Sequence, residues 1–337
     1  MKLGKRLIAL LLVLGVMFCL TACKKAEAPT EKQAKETEAT TKTEQPEKKI
    51  LVGFSQMDNN EAWRVTETED LKAVAEERGY DFAYTDAQSQ IAKQLSDIED
   101  LVAQGVDYLV IAPKENTGLE RGLEAAKEAG IPVILIDRCH EGVAGEDYAT
   151  FIASDFVYQG YECGVALAEA MGGSGNVVII EGQPGGTDGV ERQEGFDKAM
   201  EEYPNISILA SQPGEYSRSK AQSVMENYLQ SYGNTINGVF SYDDEMAQGA
   251  ITAIEAYGLK PGEDIKITGI DGQKSAIQAI IDGKMTAAVV TCSPRFGTIV
   301  FDTIERMIAG ESVETHIQLG DYVIDSTNAE VELENGF

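Results

Sequence analysis

The sequence predicts an α/β protein built as two parallel-sheet lobes, and three observations carry that prediction. The run Val133-Ile134-Leu135-Ile136, entered through Gly130-Ile131-Pro132, is apolar on both of its faces. Such a run suits a strand covered by helices on each side, as in a parallel sheet. Strand-like and helix-like stretches alternate after Ile50, which is the signature of repeated βαβ units. The alternation is broken once, by a short strand-like crossing at Tyr148–Ser154, and then restarts.

In chain order, the first 22 residues stand apart. Met1-Lys2-Leu3-Gly4-Lys5-Arg6 is basic, Leu7 to Leu20 is apolar, and Leu20-Thr21-Ala22-Cys23 closes the segment. That pattern reads as a secretory signal, residues 1–22. Its ending resembles a bacterial lipobox, in which Cys23 receives a diacylglycerol and becomes the mature N-terminus. The apolar run is too short to span a bilayer comfortably. Residues 24–49 contain no Ile, Leu, Val, Phe, Trp, Tyr or Met, so residues 23–49 read as a disordered tether. Its root-mean-square reach is roughly 30 Å.

The remaining length suits two domains of ordinary size. Loss of Lys2, Lys5 and Arg6 with the signal takes the formal charge from −28 to −31. A chain so acidic is repelled by nucleic acid and by anionic lipid heads. Cys19 leaves with the signal and Cys23 is the lipid site, so Cys139, Cys163 and Cys292 remain. An odd number leaves at least one free thiol, with a Cys139–Cys163 bridge left open by the sequence. No Cys/His spacing suggests a metal site.

Strands are expected at Ile50–Ser55, Asp81–Thr85, Tyr108–Ala112 and Val133–Asp137, with helices over Trp63–Arg78, Ile91–Gln104 and Leu119–Ala129. Each helix closes on a glycine: Gly79, Gly105 and Gly130. After the crossing, strands are expected at Asn176–Glu181, Ile206–Ser211, Gly238–Ser241, Lys266–Ile270 and Met285–Thr291. The helices between them fit Tyr158–Met171, Gly189–Glu202, Arg218–Ser231, Met246–Tyr257 and Lys274–Ile281.

Polar signatures gather where strands end, which is where open α/β sheets bind ligands. Asp137 and Arg138 follow the central strand, so one carboxylate and one guanidinium can hold the same polar molecule. Trp63-Arg64 opens the first helix, with Glu67 one turn on, and Trp63 is the sole tryptophan. An aromatic beside an arginine can cover an apolar face and donate to hydroxyls at its edge. The stretch Gly182-Gln183-Pro184-Gly185-Gly186-Thr187-Asp188-Gly189-Val190-Glu191-Arg192 lacks either phosphate-loop spacing. Asp188 with Glu191 reads instead as a capping box that sets Arg192 on the first turn near the cleft. Tyr216, Asp243 and Asp271 complete the set, with helix capping the competing role for Asp243 or Asp244. Aromatics for an apolar face and ionised groups for hydroxyls are what a sugar needs.

These same residues carry a resemblance. Gly53-Phe54-Ser55-Gln56, Trp63-Arg64 with Glu67-Thr68, Ala103-Gln104-Gly105-Val106-Asp107, Ile111-Ala112-Pro113 and Asp137-Arg138 resemble stretches of the bacterial periplasmic sugar-binding proteins of the ribose and galactose type. So do Arg192 before Gly195-Phe196, Arg218-Ser219-Lys220, Asp244-Glu245-Met246, Leu259-Lys260-Pro261-Gly262 and Asp271-Gly272. Within that family the similarity is to the galactofuranose-binding branch. It runs from Ile50 to about Gly310.

The resemblance implies a type I periplasmic binding protein fold: two Rossmann-like lobes joined by a hinge of three crossings, near Ser154, Thr291 and Asp321. The first lobe then takes residues 50–154 and 292–321, and the second takes 155–291 and 322–337. It implies a pocket lined by Trp63, Arg64, Asp137, Arg138, Arg192, Tyr216, Asp243 and Asp271, with Gln56, Glu67 and Thr291 as further ligand contacts. The implied partners are a monosaccharide (galactofuranose or a related hexose or pentose) and the permease of an ABC importer. The protein would be an exported monomer, lipid-anchored on the outer face of the cytoplasmic membrane, with no catalytic residue, metal or cofactor. Two departures from the family pattern bear on the sugar: Asp243 stands where Asn is usual, and Thr291-Cys292-Ser293-Pro294 lacks the usual Gln or Glu. A sensing receptor of the same fold would share this pocket. A sugar hydrolase working through Asp pairs is disfavoured, since carboxylates paired with arginines suit binding better than acid catalysis.

Overall fold

The computed structural model describes residues 49–285 and 289–337. The leader, the tether and Cys23 lie outside the described residues. The first series is β1 (Leu51–Gln56), α1 (Ala62–Arg78), β2 (Asp81–Asp86), α2 (Ile91–Gln104), β3 (Tyr108–Ile111), α3 (Glu120–Glu128), β4 (Val133–Ile136) and β5 (Thr150–Ala153). The second is α4 (Phe156–Ala170), β6 (Ser174–Glu181), α5 (Thr187–Glu202), β7 (Asn205–Pro213), α6 (Arg218–Tyr232), β8 (Gly238–Ser241), α7 (Asp244–Tyr257), β9 (Lys266–Asp271), α8 (Lys274–Ile281) and β10 (Val289–Thr291). Past Thr291, where the sequence alternation gives no element, the chain adds α9 (Gly297–Ile308), β11 (His316–Gln318), β12 (Val323–Ile324) and α10 (Ala329–Glu332).

Two six-stranded sheets result, ordered β11-β5-β4-β3-β1-β2 and β12-β10-β9-β8-β6-β7. Among the described residues every strand pairing is parallel except β10 with β12. The fold is therefore the two-sheet α/β architecture of type I periplasmic binding proteins. All four residues of β4 are buried, as its unbroken apolar run requires. The chain passes between the sheets after β5, after β10 and after β11. Of the last expected strand, Val289–Thr291 pair, and residues 286–288 lie outside the described residues.

Local chemistry explains the ends of the first two helices. Gly79 and Gly105 stop α1 and α2 at φ of 79° and 74°, a left-handed conformation that costs glycine nothing. The α4–α5 contact is closer still. A Cβ on Gly160 would stand 1.9 Å from the Arg192 carbonyl oxygen, and one on Gly195 would stand 2.0 Å from that of Val157. The two helices thus meet backbone against backbone, and no residue larger than glycine fits at either point.

The three remaining cysteines are free, so no Cys139–Cys163 bridge forms. Cys163 is instead buried on α4 with its thiol on the Gly269 carbonyl, and Cys139 lies between His140 and Tyr148. No helix among the described residues is long and apolar enough to cross a membrane.

Candidate functional site

The carboxyl ends of both sheets face one cavity. Glu61, Trp63, Arg64, Asp137 and Arg138 form one wall, Asp188, Arg192, Tyr216, Asp243 and Asp271 the other, and Cys292 joins them at a crossing. The space is narrow, about 20 Å³, room for little more than one water. It shares Glu61 and Tyr216 with an outer chamber of about 920 Å³. Anything of sugar size must therefore enter by parting the walls.

On the first wall, α1 starts immediately after the β1 turn, which brings Trp63 and Arg64 to the cavity on the first helical turn. Arg64 donates to Glu67 at 3.0 Å and to Asp137 at 2.5 Å, and its guanidinium lies 4.5 Å from the Trp63 ring centre. Gln56 in turn donates to Glu67 at 2.7 Å. Trp63 donates from Nε1 to the Cys292 carbonyl at 2.7 Å and packs edge-on against Phe296. Asp137 and Arg138 are 5% and 2% exposed, so they are a buried pair and not a solvated strand end.

Arg138 reaches across the cleft. Its guanidinium meets Asp188 with Nε at 3.1 Å and Nη2 at 3.2 Å, and Tyr216 donates its hydroxyl to the same carboxylate. Asp188 is thus no helix cap: Gly186 occupies the N-cap of α5 with no side-chain bond, and the Asp188 carboxylate turns into the cleft. The capping-box reading fails because an arginine from the other sheet outcompetes exposed backbone amides for that carboxylate.

On the second wall, Arg192 is fixed at every nitrogen. It donates to Gln159 at 3.0 Å, to the Tyr242 carbonyl at 2.9 Å and to the Cys292 sulfur at 3.5 Å. The glycine-tight crossing of α4 and α5 makes the Gln159 bond reachable. Gln159 also donates to the Thr291 carbonyl and to Asp321, both at 3.1 Å, which ties Arg192 to two of the crossings. Asp243 caps α7 through Met246 N at 2.7 Å and lines the cavity as well. Asp244 lies behind it, accepting from Gly272 N at 2.9 Å and Gln273 N at 2.8 Å. Those bonds hold the turn that aims Asp271.

Three cavity residues sit in left-handed backbone despite carrying side chains: Asp137 at φ 61°, Tyr216 at 57° and Asp271 at 128°. Each costs on the order of 1–3 kcal/mol, a strain that concentrates at functional sites.

Burial dominates the electrostatics. It raises Glu61 to about 8, with Asp243 adding to the rise, and it raises Asp243 itself to about 7. It also lifts Glu67 to about 7, and it lifts Asp271 well above the carboxylate range with help from Asp244 and Asp243. Asp188 goes the other way: burial would raise it, but Arg138 and Arg192 hold it low.

Of the residues expected from sequence, Trp63, Arg64, Asp137, Arg138, Arg192, Tyr216, Asp243 and Asp271 are brought together in this cavity. Gln56, Glu67 and Thr291 are not on its surface. Gln56 and Glu67 stand behind Arg64 and orient it, and the Thr291 hydroxyl accepts from Tyr322 N at 2.9 Å. Glu61, Asp188 and Cys292 also line the cavity, though the sequence does not mark them as ligand contacts.

Comparison with known proteins agrees with the fold. A periplasmic binding protein domain matches residues 52–312. The galactofuranose-binding protein YtfQ of Escherichia coli (strain K12) is 37% identical over 260 residues, 76% of this chain and 81% of that protein. The ribose import binding protein RbsB of Bacillus subtilis (strain 168) is 33% identical over 313 residues, 93% of this chain and 96% of that one. Among solved structures, the periplasmic binding protein component of the arabinose ABC transporter from Shewanella sp. ANA-3, bound to α- and β-L-arabinofuranose, superposes with a TM-score of 0.81. It is 36% identical and covers 85% of this chain and 95% of its own. The chain belongs to the periplasmic binding protein family, whose members bind substrates and do not transform them.

Proposed function

We propose that this member of the periplasmic binding protein family captures a monosaccharide between its lobes and delivers it to an ABC importer. The sugar is galactofuranose or a related hexose or pentose, and the chain is held by a lipid on Cys23 at the outer face of the cytoplasmic membrane. The observation that carries the reading is the closed ring of buried arginines and carboxylates with Trp63 and Tyr216, set where both sheets end. Paired arginines and carboxylates meet hydroxyls with charge-assisted bonds, and the aromatics cover a sugar's apolar face. Relatives named for galactofuranose, ribose and arabinofuranose support the class of ligand. The lobes divide at Ser154, Thr291 and Asp321, so that closure about three crossings takes the bound sugar out of water. Tyr216 and Arg138 then trade their contacts with Asp188 for contacts with the ligand.

A thermal-shift and calorimetry screen against pentoses, hexoses, galactofuranose and arabinofuranose tests this. At least one sugar should raise Tm and shift the fluorescence of Trp63, the sole tryptophan. Arg138→Ala should weaken that sugar by about tenfold to several hundredfold, as loss of one or two charge-assisted bonds predicts. If no sugar binds, the reading fails. The anchor is tested separately: Cys23→Ala should release the protein from membranes to the medium.

A further inference from the structure

The cavity holds more carboxyl groups than guanidiniums, and the surplus is not spread evenly. Five carboxylates line it, those of Glu61, Asp137, Asp188, Asp243 and Asp271, against the guanidiniums of Arg64, Arg138 and Arg192. Two of the carboxylates are matched: Asp137 by Arg64 and Asp188 by Arg138. Arg192 spends its donors on Gln159, the Tyr242 carbonyl and the Cys292 sulfur, none of them anionic in its neutral form. Three carboxylates are left over.

Asp271 is 7% exposed, faces the cavity, and among the described residues its carboxylate accepts no hydrogen bond and enters no ion pair, although the charge of Arg192 reaches it. Asp243 spends one oxygen on Met246 N and enters no ion pair among the described residues. The charges of opposite sign that act on it are Arg192 inside the cavity and Arg218 outside it, and Arg218 is held by Glu245 at 2.8 Å. Glu61 has only Arg64 Nε at 3.9 Å, on a guanidinium already bonded to Glu67 and Asp137. Glu61, Asp243 and Asp271 are also close enough to repel one another. A buried carboxylate with no partner is costly unless something supplies a proton or a cation. The surrounding groups make this worse, since Asp58 and Asp244 stand next and are also acidic.

We infer that the ligand supplies the missing charge: the site takes an amino or imino sugar, its ammonium seated among Glu61, Asp243 and Asp271. This rests on the sugar-binding reading and narrows it to a cationic sugar. The ring and its hydroxyls are then met by Arg64, Arg138, Arg192 and the two aromatics, and the ammonium donates its hydrogens to the three unmatched carboxylates.

The test is calorimetry on the full-length protein at pH 7 with galactosamine, 6-amino-6-deoxygalactose and 1,4-dideoxy-1,4-iminogalactitol. Each is paired with a neutral counterpart: N-acetylgalactosamine for the first, and galactose and galactofuranose for the others. Placing the nitrogen at three positions covers the ways a ring can sit. At least one cationic sugar should bind tenfold or more tighter than its counterpart. In Glu61→Gln and in Asp243→Asn that preference ratio should fall at least threefold, and circular dichroism should show both variants folded. If neutral sugars bind and no cationic sugar is preferred, this inference is overturned and the sugar-binding reading stands. If neither kind binds, both fall. A preference that survives both substitutions also overturns the assignment, because the ammonium must then sit elsewhere.

Discussion

The two walls of the cleft bury charge in opposite ways. On the first, Arg64 lies between Glu67 and Asp137 with Gln56 behind, so these two carboxylates share one cation, while Glu61 at the head of α1 lies 3.9 Å from the edge of that same guanidinium. On the second, Asp243 and Asp244 are held by backbone amides, and Asp271 by none, so the negative charge is positioned but not neutralised. The first wall is a lattice centred on one guanidinium, in which Arg64 Nε and Glu67 Oε1 are the polar atoms left without a hydrogen bond. The second is rigid and electrostatically incomplete. A rigid surface with unmatched charge is what a binding site looks like from the side that reads the ligand, whereas the matched side provides shape.

Breaking the lattice should have the largest effect. Arg64→Ala leaves Glu67 buried without its cation and Asp137 with only Arg138 Nε at 3.7 Å among the described residues, and loss of one partner from a buried pair costs about 3–5 kcal/mol. Denaturant unfolding should show that loss. A cost under 1 kcal/mol would mean that the first wall is no more integrated than the second.

The second wall should respond with the opposite sign. Removing one unmatched charge by Asp271→Asn should stabilise the unliganded protein at pH 8, by roughly 1 kcal/mol or ~2–4 °C in Tm. Destabilisation instead would show that the carboxylate has a structural partner.

pH sharpens the same contrast. Glu61 titrates near 8, and Asp243 and Glu67 near 7, in the folded protein. Their unfolded values are about 4. Between those limits the native state binds more protons than the unfolded one, so stability falls as pH rises and grows as pH falls. Tm should therefore climb by at least ~3 °C from pH 8 to pH 5. A flat or falling profile would mean that these carboxylates are solvated.

The smallest effect is expected where the walls touch. Trp63→Phe keeps most of the packing on Phe296 but removes the Nε1 bond to the Cys292 carbonyl. That bond contributes about 0.5–1.5 kcal/mol to the closed arrangement.

Much of this architecture could be read without coordinates. The β4 run shows its burial because every residue in it is apolar, and Asp137-Arg138 announces a site because two charges follow it directly. Trp63-Arg64 is legible for a similar reason, being a large aromatic and a cation on the first turn after a strand. Asp188 was misassigned because a carboxylate three residues before a glutamate at a helix start is the local pattern of a cap. Its true partner, Arg138, lies 50 residues away and is chosen by how two sheets face each other. The left-handed backbone at Asp137, Tyr216 and Asp271 leaves no trace in the sequence, since none of the three is glycine. Glu61 carries no local signal of its place: it is the N-cap residue of α1, and the turn into that helix brings it to the cavity. Gln56 and Glu67 do not line the cavity for a related reason: pattern places them beside the site, and packing sets them behind Arg64.

The last strand of the first sheet bears on how the chain is made. β5 finds its outer neighbour only in β11, at His316–Gln318, after nearly all of the second lobe has been synthesised. Until then its outer edge carries unpaired amides and carbonyls next to Phe151, the kind of edge that recruits stray strands. A chain emerging from its N-terminus thus carries an unfinished seam through most of its synthesis, closed only when His316 stacks on Phe151 near the end. Late closure keeps the first lobe from locking early, at the cost of a long period of exposure to self-association.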